Sequence, residues 1–259
     1  PLEEVGPPDV STDFARLAND EMADLVARHP DRLAGFAAAL PLNDAEASLR
    51  EIDRACGELG ALGVQMFTNV LGVPLDDARF EPVFARVEEL DRMVWLHPTR
   101  NATFADYASE GESEYGLWWS IGWPYETAAA LSRLVYSGVM ERHPRLKVIA
   151  HHGAGMVPHF ASRLGMGPGF REVKDALPLP PVDYFKRFYA DTALFGATNA
   201  VRCVIDFFGP GHVLFGTDMP LGPPAAVEAT IKDIDSCDLT ESDRAAVYAT
   251  NAARLLRIS

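Results

Sequence analysis

Cysteine is scarce in this 259-residue sequence: three residues, Cys56, Cys203 and Cys237, odd in number and widely spaced. They make neither a disulfide framework nor a Cys-x-x-Cys metal knuckle, and a reducing, cytoplasmic setting is the expectation. Long hydrophobic runs are missing too. No window approaches the ~18 consecutive apolar residues of a membrane span. The acidic opening, Pro1-Leu2-Glu3-Glu4-Val5, lacks the basic region of a secretory signal. Basic residues are outnumbered, 23 against 37 acids, for a net charge of −14. Such a field repels phosphate backbones and anionic lipid, so neither nucleic acid nor membrane is an expected partner. A small anionic substrate then needs a local cation, from an arginine, a metal ion or both. There is no Gly-x-Ser-x-Gly elbow and no Walker A loop. Gly165-Met166-Gly167-Pro168-Gly169 follows a helical pattern rather than a strand, so it is no dinucleotide loop.

What the sequence does hold is a core: 48% of its residues are hydrophobic, enough for one large α/β domain or two small ones. Short apolar runs at Gly35–Leu42, Gly63–Phe67, Met93–His97, Lys147–His152, Phe188–Leu194 and Val213–Asp218 read as strands. Between them lie helical patterns at Ala45–Leu59, Phe80–Leu90, Tyr125–Met140, Met156–Leu164, Ala200–Phe208 and Ala225–Ile234. Asp13–Arg28 precedes them as a further helix, Asp44 is placed as an N-cap, and Glu241–Arg257 closes the chain as one or two helices. Strand and helix in alternation argue for a parallel sheet covered by helices. Three strand runs finish on His97, His152 and Asp218, and a barrel gathers many strand ends around one point. The expected fold is a (β/α)8 barrel over residues 1–259, six of its strands visible and the N-terminal one or two lacking. Its edge runs, Gly35–Leu42 and Val213–Asp218, are expected to carry unpaired backbone groups.

Three segments can carry chemistry. In Val94-Trp95-Leu96-His97-Pro98, a histidine ends an apolar strand before a proline that stops ladder pairing, so its imidazole projects at the rim. In Ile149-Ala150-His151-His152-Gly153, adjacent strand residues point to opposite faces, so at most one histidine points into a barrel mouth. In Val213-Leu214-Phe215-Gly216-Thr217-Asp218, an acid ends a run so apolar that it is costly unless it binds a cation or carries a proton. Taken singly, each also fits a blander role: a satisfied core histidine, or an aspartate capping the next helix. Arg163 can present its planar fork to an anion or sit in solvent. Trp118, Trp119 and Trp123 read as core packing, with a lid or an oligomer contact as alternatives.

Together these residues resemble the amidohydrolase-related metal-dependent decarboxylases, the group of aminocarboxymuconate semialdehyde and γ-resorcylate decarboxylases. The resemblance runs from about Ala18 to Leu256. It is carried by Asp31-Arg32-Leu33-Ala34-Gly35-Phe36, Leu75-Asp76-Asp77-Ala78-Arg79-Phe80, His97-Pro98, Tyr125-Glu126-Thr127-Ala128, His143-Pro144-Arg145-Leu146-Lys147 and Phe215-Gly216-Thr217-Asp218-Met219-Pro220. It implies His97 as the fifth-strand metal ligand, Asp218 as the eighth-strand ligand and proton carrier, and His152 as the sixth-strand acid/base or positioning residue. Arg163 falls where such enzymes place an arginine for the substrate's carboxylate.

The family's first-strand His-x-His has no counterpart in the sequence. The implied cofactor is therefore a divalent zinc or manganese ion, weakly held or absent. The implied activity is decarboxylation of a small unsaturated or aromatic carboxylic acid by a homo-oligomer, dimer or tetramer. A hydrolase or hydratase on the same scaffold, and a non-catalytic binding protein, are the alternatives.

Overall fold

The structure is a computed structural model that describes residues 1–166 and 177–258, so the Gly167–Gly169 part of the glycine-rich stretch lies outside the described residues. The chain divides into two units, Pro1–Thr99 with Ala130–Val148, and Arg100–Ala129 with Ile149–Ser259.

The sheet of the first unit is parallel and reads β1 (Ala37–Ala38), β2 (Gly63–Phe67) and β5 (Met93–His97). A small antiparallel hairpin, β3 (Asn69–Val70) with β4 (Val73–Pro74), follows β2. β2 and β5 run in register from Gly63↔Met93 to Phe67↔His97, with Val64, Met66, Val94 and Leu96 buried. Gly63 has a steric reason: a Cβ there would run into the Met93 backbone. Helix Ala45–Gly57 starts on Asp44, whose carboxylate accepts the Ala47 N–H at 2.9 Å. It buries Ala47, Ser48, Glu51, Ile52 and Ala55, which recur on one face at helical spacing. Helix Glu81–Glu89 opens on Pro82 and buries Val83, Phe84 and Val87. The helical pattern Tyr125–Met140 is in fact two helices, Gly122–Tyr136 and Val139–Arg142, broken where Gly138 takes φ +81°.

The backbone beside β1 meets side chains from the start of the chain. Asn19, fully buried in helix Pro8–Arg28, accepts the Ala39 N–H through Oδ1 at 2.8 Å. Its Nδ2 donates to Ala39 O at 3.0 Å and to Glu51 Oε1 at 2.6 Å. Arg54 donates to both oxygens of Glu51, at 3.0 and 2.7 Å, and Glu3 Oε1 accepts the Leu42 N–H at 2.9 Å. The expectation of bare backbone here is corrected: an amide side chain can satisfy a donor and an acceptor of the neighbouring chain at once.

The second unit carries the other three parallel strands. β6 (Lys147–Ala150), whose second half belongs here, pairs with β7 (Tyr189–Asp191) through Ile149↔Tyr189 and Ala150↔Ala190. β7 pairs with β8 (Val213–Leu214) through Ala190↔Val213 and Asp191↔Leu214. Two amphipathic helices, Thr198–Phe208 and Ala225–Asp235, pack here. The chain then runs through Glu241–Ala245, a π turn at Ala246–Thr250 and Asn251–Leu256. This last stretch covers β8: Val213 O accepts Asn251 Nδ2 at 2.9 Å, and Phe215 N donates to Val247 O at 2.9 Å. The second expected bare edge is thus filled as well. Each of the six runs read as strands contains a strand among the described residues, shortest at Ala37–Ala38 and Val213–Leu214, with helices between them, and within each unit these strands pair in parallel.

Replacing Asn19 by Ala leaves the half-buried Ala39 N–H and C=O without their side-chain partner, while Glu51 Oε1 keeps only Arg54. Urea unfolding is expected to fall by about 2 kcal/mol or more. An unchanged midpoint would mean that these bonds carry no net stability.

Candidate active site

His97 closes β5. Its ring lies edge-on to Phe67, its register partner, at 5.8 Å between centroids. Its Nδ1 lies 2.7 Å from Pro98 O. A carbonyl only accepts, so Nδ1 carries a proton, and Nε2 is the nitrogen that can offer a lone pair. The loop beyond is tied down: Thr68 N donates to His97 O, and Thr99 N donates to Thr68 Oγ1, both at 3.0 Å.

In the second unit the ladder stops sooner than the hydrophobic runs suggest. β6 ends at Ala150, and His151-His152-Gly153-Ala154 form a single turn in which His152 (φ 55°) and Ala154 (φ 62°) are left-handed. β8 ends at Leu214, and Asp218 (φ 59°) stands in a turn closed by Gly222 N donating to Asp218 O at 2.6 Å. Neither His152 nor Asp218 terminates a strand: β6 stops at Ala150 and β8 at Leu214, and both His152 and Asp218 take the positive φ of a turn rather than the φ of a pleated strand. Asp218 is not a helix cap either: helix Ala225–Asp235 begins on Pro224, with no side-chain cap. Asp218 and His152 nonetheless meet, with ligand atoms within 4.8 Å of each other.

The strand-alternation argument for the two histidines fails with the strand, yet the turn sends them to different partners. His152 Nδ1 lies 3.0 Å from Ala193 O, which again leaves Nε2 as its lone-pair nitrogen. His151 Nδ1 lies 3.2 Å from Asp191 Oδ2. Asp191 is buried at the end of β7, and its Oδ1 accepts the N–H of Gly153 at 3.2 Å and of Ala193 at 3.1 Å. Burial pushes its carboxyl pKa up, but the bond and charge of His151, the charge of His152 and the Ala193 N–H outweigh that, and the net shift is downward. Sequence reasoning passed over Asp191. The signal was there: an acid inside the apolar run Phe188–Leu194.

A cavity of about 230 Å³ adjoins this pair, lined among others by His152, Gly155, Trp119, Trp123 and Phe195. Phe195 stands 5.7 Å from the His152 ring, and Trp123 meets the edges of Trp118 and Trp119. The Trp123 indole N–H is held by Arg100 O at 3.0 Å. Two of the three tryptophans thus face a cavity, where the sequence favoured core packing. Arg163 is exposed on helix Ala161–Gly165 and is not among the residues lining the cavity.

Imidazoles and carboxylates at and just beyond the ends of parallel strands in an α/β fold define a class, and the chain belongs to it. It is a member of the amidohydrolase family, whose profile it matches over residues 3–258. Among curated proteins it is 33% identical over 215 residues to 2-amino-3-carboxymuconate-6-semialdehyde decarboxylase of Dictyostelium discoideum, covering 82% of this chain and 58% of that protein. It is 32% identical to gamma-resorcylate decarboxylase of Rhodococcus jostii (strain RHA1), covering 95% of this chain and 77% of that one. The first of these is matched over less than two thirds of its length. Among solved structures, 5-carboxyvanillate decarboxylase from Sphingomonas paucimobilis superposes with a TM-score of 0.88 at 30% identity, over 100% of this chain and 77% of the other. A dihydroxybenzoic acid decarboxylase from Polaromonas sp. JS666, solved with bound manganese and 2-nitroresorcinol, gives 0.82 at 29%, over 98% and 77%. The resemblance read from the motifs is borne out.

Gly155 takes φ +60°, and a Cβ there would strike Pro124 O, so the histidine turn can lie against Pro124 only as glycine. Gly155→Ala is expected to lose about 2 kcal/mol or more in thermal or urea unfolding. A fully stable variant would refute this close approach.

Proposed function

We propose that this chain is a metal-dependent decarboxylase of a small aromatic or unsaturated carboxylic acid. In this reading His97 and Asp218 hold the metal, His152 and Asp218 are catalytic, and Arg163 anchors the substrate's carboxylate. The observation that carries the reading is the His152–Asp218 pair beside an aromatic-walled cavity of about 230 Å³, room for a single ring. The names of the relatives support the reaction type.

The two donors assigned to a zinc or manganese ion are the Asp218 carboxylate and His97, whose Nδ1 is tied to a carbonyl so that Nε2 is the ligating nitrogen; two protein ligands hold such an ion weakly. When bound, such an ion supplies a Lewis acid that neutralises the substrate's oxygens. Asp218 in its protonated form gives a proton to the carbon that bears the carboxylate, directly or through a water held by His152. The carbon–carbon bond then breaks, carbon dioxide leaves, and the bonding electron pair restores the conjugated system. Trp119, Trp123 and Phe195 stack on the planar substrate and keep water from the protonated intermediate. Arg163 contributes a bidentate fork for the carboxylate. The working form is a homo-oligomer in the cytoplasm, where the three free cysteines persist.

Purified protein supplied with manganese or zinc is expected to release carbon dioxide from a panel of hydroxybenzoates and muconate semialdehydes, and to stop when a chelator is added. Hydrolysis or hydration without carbon dioxide would replace the reading with one of its alternatives. Asp218→Asn keeps the shape but removes the charge and the proton, so kcat should fall by roughly 10²-fold or more; near-normal turnover would remove Asp218 from the mechanism. Arg163→Ala should raise KM by about tenfold or more with little change in kcat, the loss of one charge-assisted fork. An unchanged KM would leave Arg163 a solvated helix residue.

A further inference from the structure

We propose that Asp191 is a positioning residue for His152, setting its place and its tautomer without touching substrate. The argument starts from the bonds of one carboxylate. Oδ1 takes the Gly153 and Ala193 N–H groups at 3.2 and 3.1 Å, and Oδ2 faces His151 Nδ1 at 3.2 Å. His151 and Gly153 are the residues on either side of His152 in the chain. Ala193 is the residue whose carbonyl lies 3.0 Å from His152 Nδ1. One buried side chain therefore grips both flanks of His152 and also the segment that tells its ring which nitrogen carries the proton.

The grip has something to hold. His152 is left-handed at φ 55°, ψ 50°, a backbone state that L-residues enter only when their surroundings impose it. Gly153 packs closely as well, its Cα facing Val204 and Leu194 in the same unit. If the turn relaxes, Ala193 O no longer meets Nδ1, and the two neutral tautomers of His152 become competitive. The nitrogen presented to the cavity would then carry a proton in part of the population, which a metal ligand or a proton acceptor cannot tolerate. Asp191 is not among the residues lining the cavity, so its effect travels through His151, Gly153 and Ala193.

The kinetic arm of the test rests on the decarboxylase reading; the spectroscopic arm does not. Asp191→Asn keeps an acceptor oxygen for the two N–H groups but sets an NH2 against His151. In zinc-loaded protein labelled with 15N-histidine, His152 is identified by its disappearance in His152→Gln. Wild-type protein is expected to show His152 protonated at Nδ1 only. Asp191→Asn should show mixed or reversed protonation, with zinc content unchanged. Its kcat should fall about 10- to 100-fold, with KM held within about threefold. Should Asp191→Asn not fold, His151→Asn removes the imidazole partner of Oδ2 and leaves the carboxylate; it is expected to move the same signals in the same direction. A folded variant with a lowered melting temperature but wild-type His152 signals and kcat would overturn the proposal, because a purely structural aspartate predicts that result. If wild-type protein releases no carbon dioxide, the decarboxylase reading fails, and the His152 signals still decide the role of Asp191.

Discussion

A buried carboxylate is tolerated only when its oxygens are partnered, and the second unit is arranged around meeting that demand for Asp191. Its position at the end of β7 is set by parallel pairing on both sides, with β6 through Ala190 and with β8 through Leu214. From there it takes N–H groups from the turn after β6 and from the segment after its own strand. The neighbouring Thr192 links that segment to the loop after β8, its hydroxyl donating to Gly216 O and accepting from Gly216 N, both at 3.0 Å. Three loops that carry His152, the Ala193 carbonyl and Asp218 are thus tied together by side chains at the ends of adjacent strands. The chemistry sits on loops, and the parallel sheet places them.

The first unit solves a related problem by different means. Helix Ala45–Gly57 buries Glu51, and Arg54 together with Asn19 satisfies it. The same Asn19 pairs with the chain after β1, so one amide both neutralises a buried acid's hydrogen-bond demand and docks helix Pro8–Arg28. A second polar cluster lies at the surface. There Glu81 accepts from Arg142 through both oxygens and from His143, and the Arg142 bond above all holds its pKa down at about 2. Since that folded value lies below its ordinary one, Glu81 stabilises the fold above the usual carboxylate range and loses that contribution as the pH falls toward 2. In the same unit β5 runs in register with β2, and His97 is its last residue.

Much of this was legible beforehand because the signals were local. β2 and β5 match the sequence reading residue for residue, since short β-branched and apolar runs between turn residues have one good solution. Helices Ala45–Gly57, Glu81–Glu89, Thr198–Phe208 and Ala225–Asp235 fall within two residues of their expected ends, because caps and the 3.6-residue period mark them. The helical pattern after Gly155 was misleading: Met156–Leu164 is mostly turn, and only Ala161–Gly165 is helical. Glycine and proline around that stretch were the warning, and periodicity alone outvoted them.

The amino-acid sequence by itself determined which residues can do chemistry and roughly where they fall: His97, His152 and Asp218 each follow an apolar run, and the family motifs around them are contiguous. It also determined the alternation of strand and helix, a consequence of two hydrophobic periods that any chain must respect. Only the tertiary structure decided that His152 and Asp218 stand in left-handed turns beyond their strands, since positive φ at a non-glycine residue is imposed by partners distant in sequence. It alone assigned His151 to Asp191 and His152 to Ala193, contacts that span about 40 residues and leave no trace in local pattern. It alone turned two tryptophans toward a cavity, because an aromatic side chain buries equally well in a core or a binding wall, and packing makes the choice.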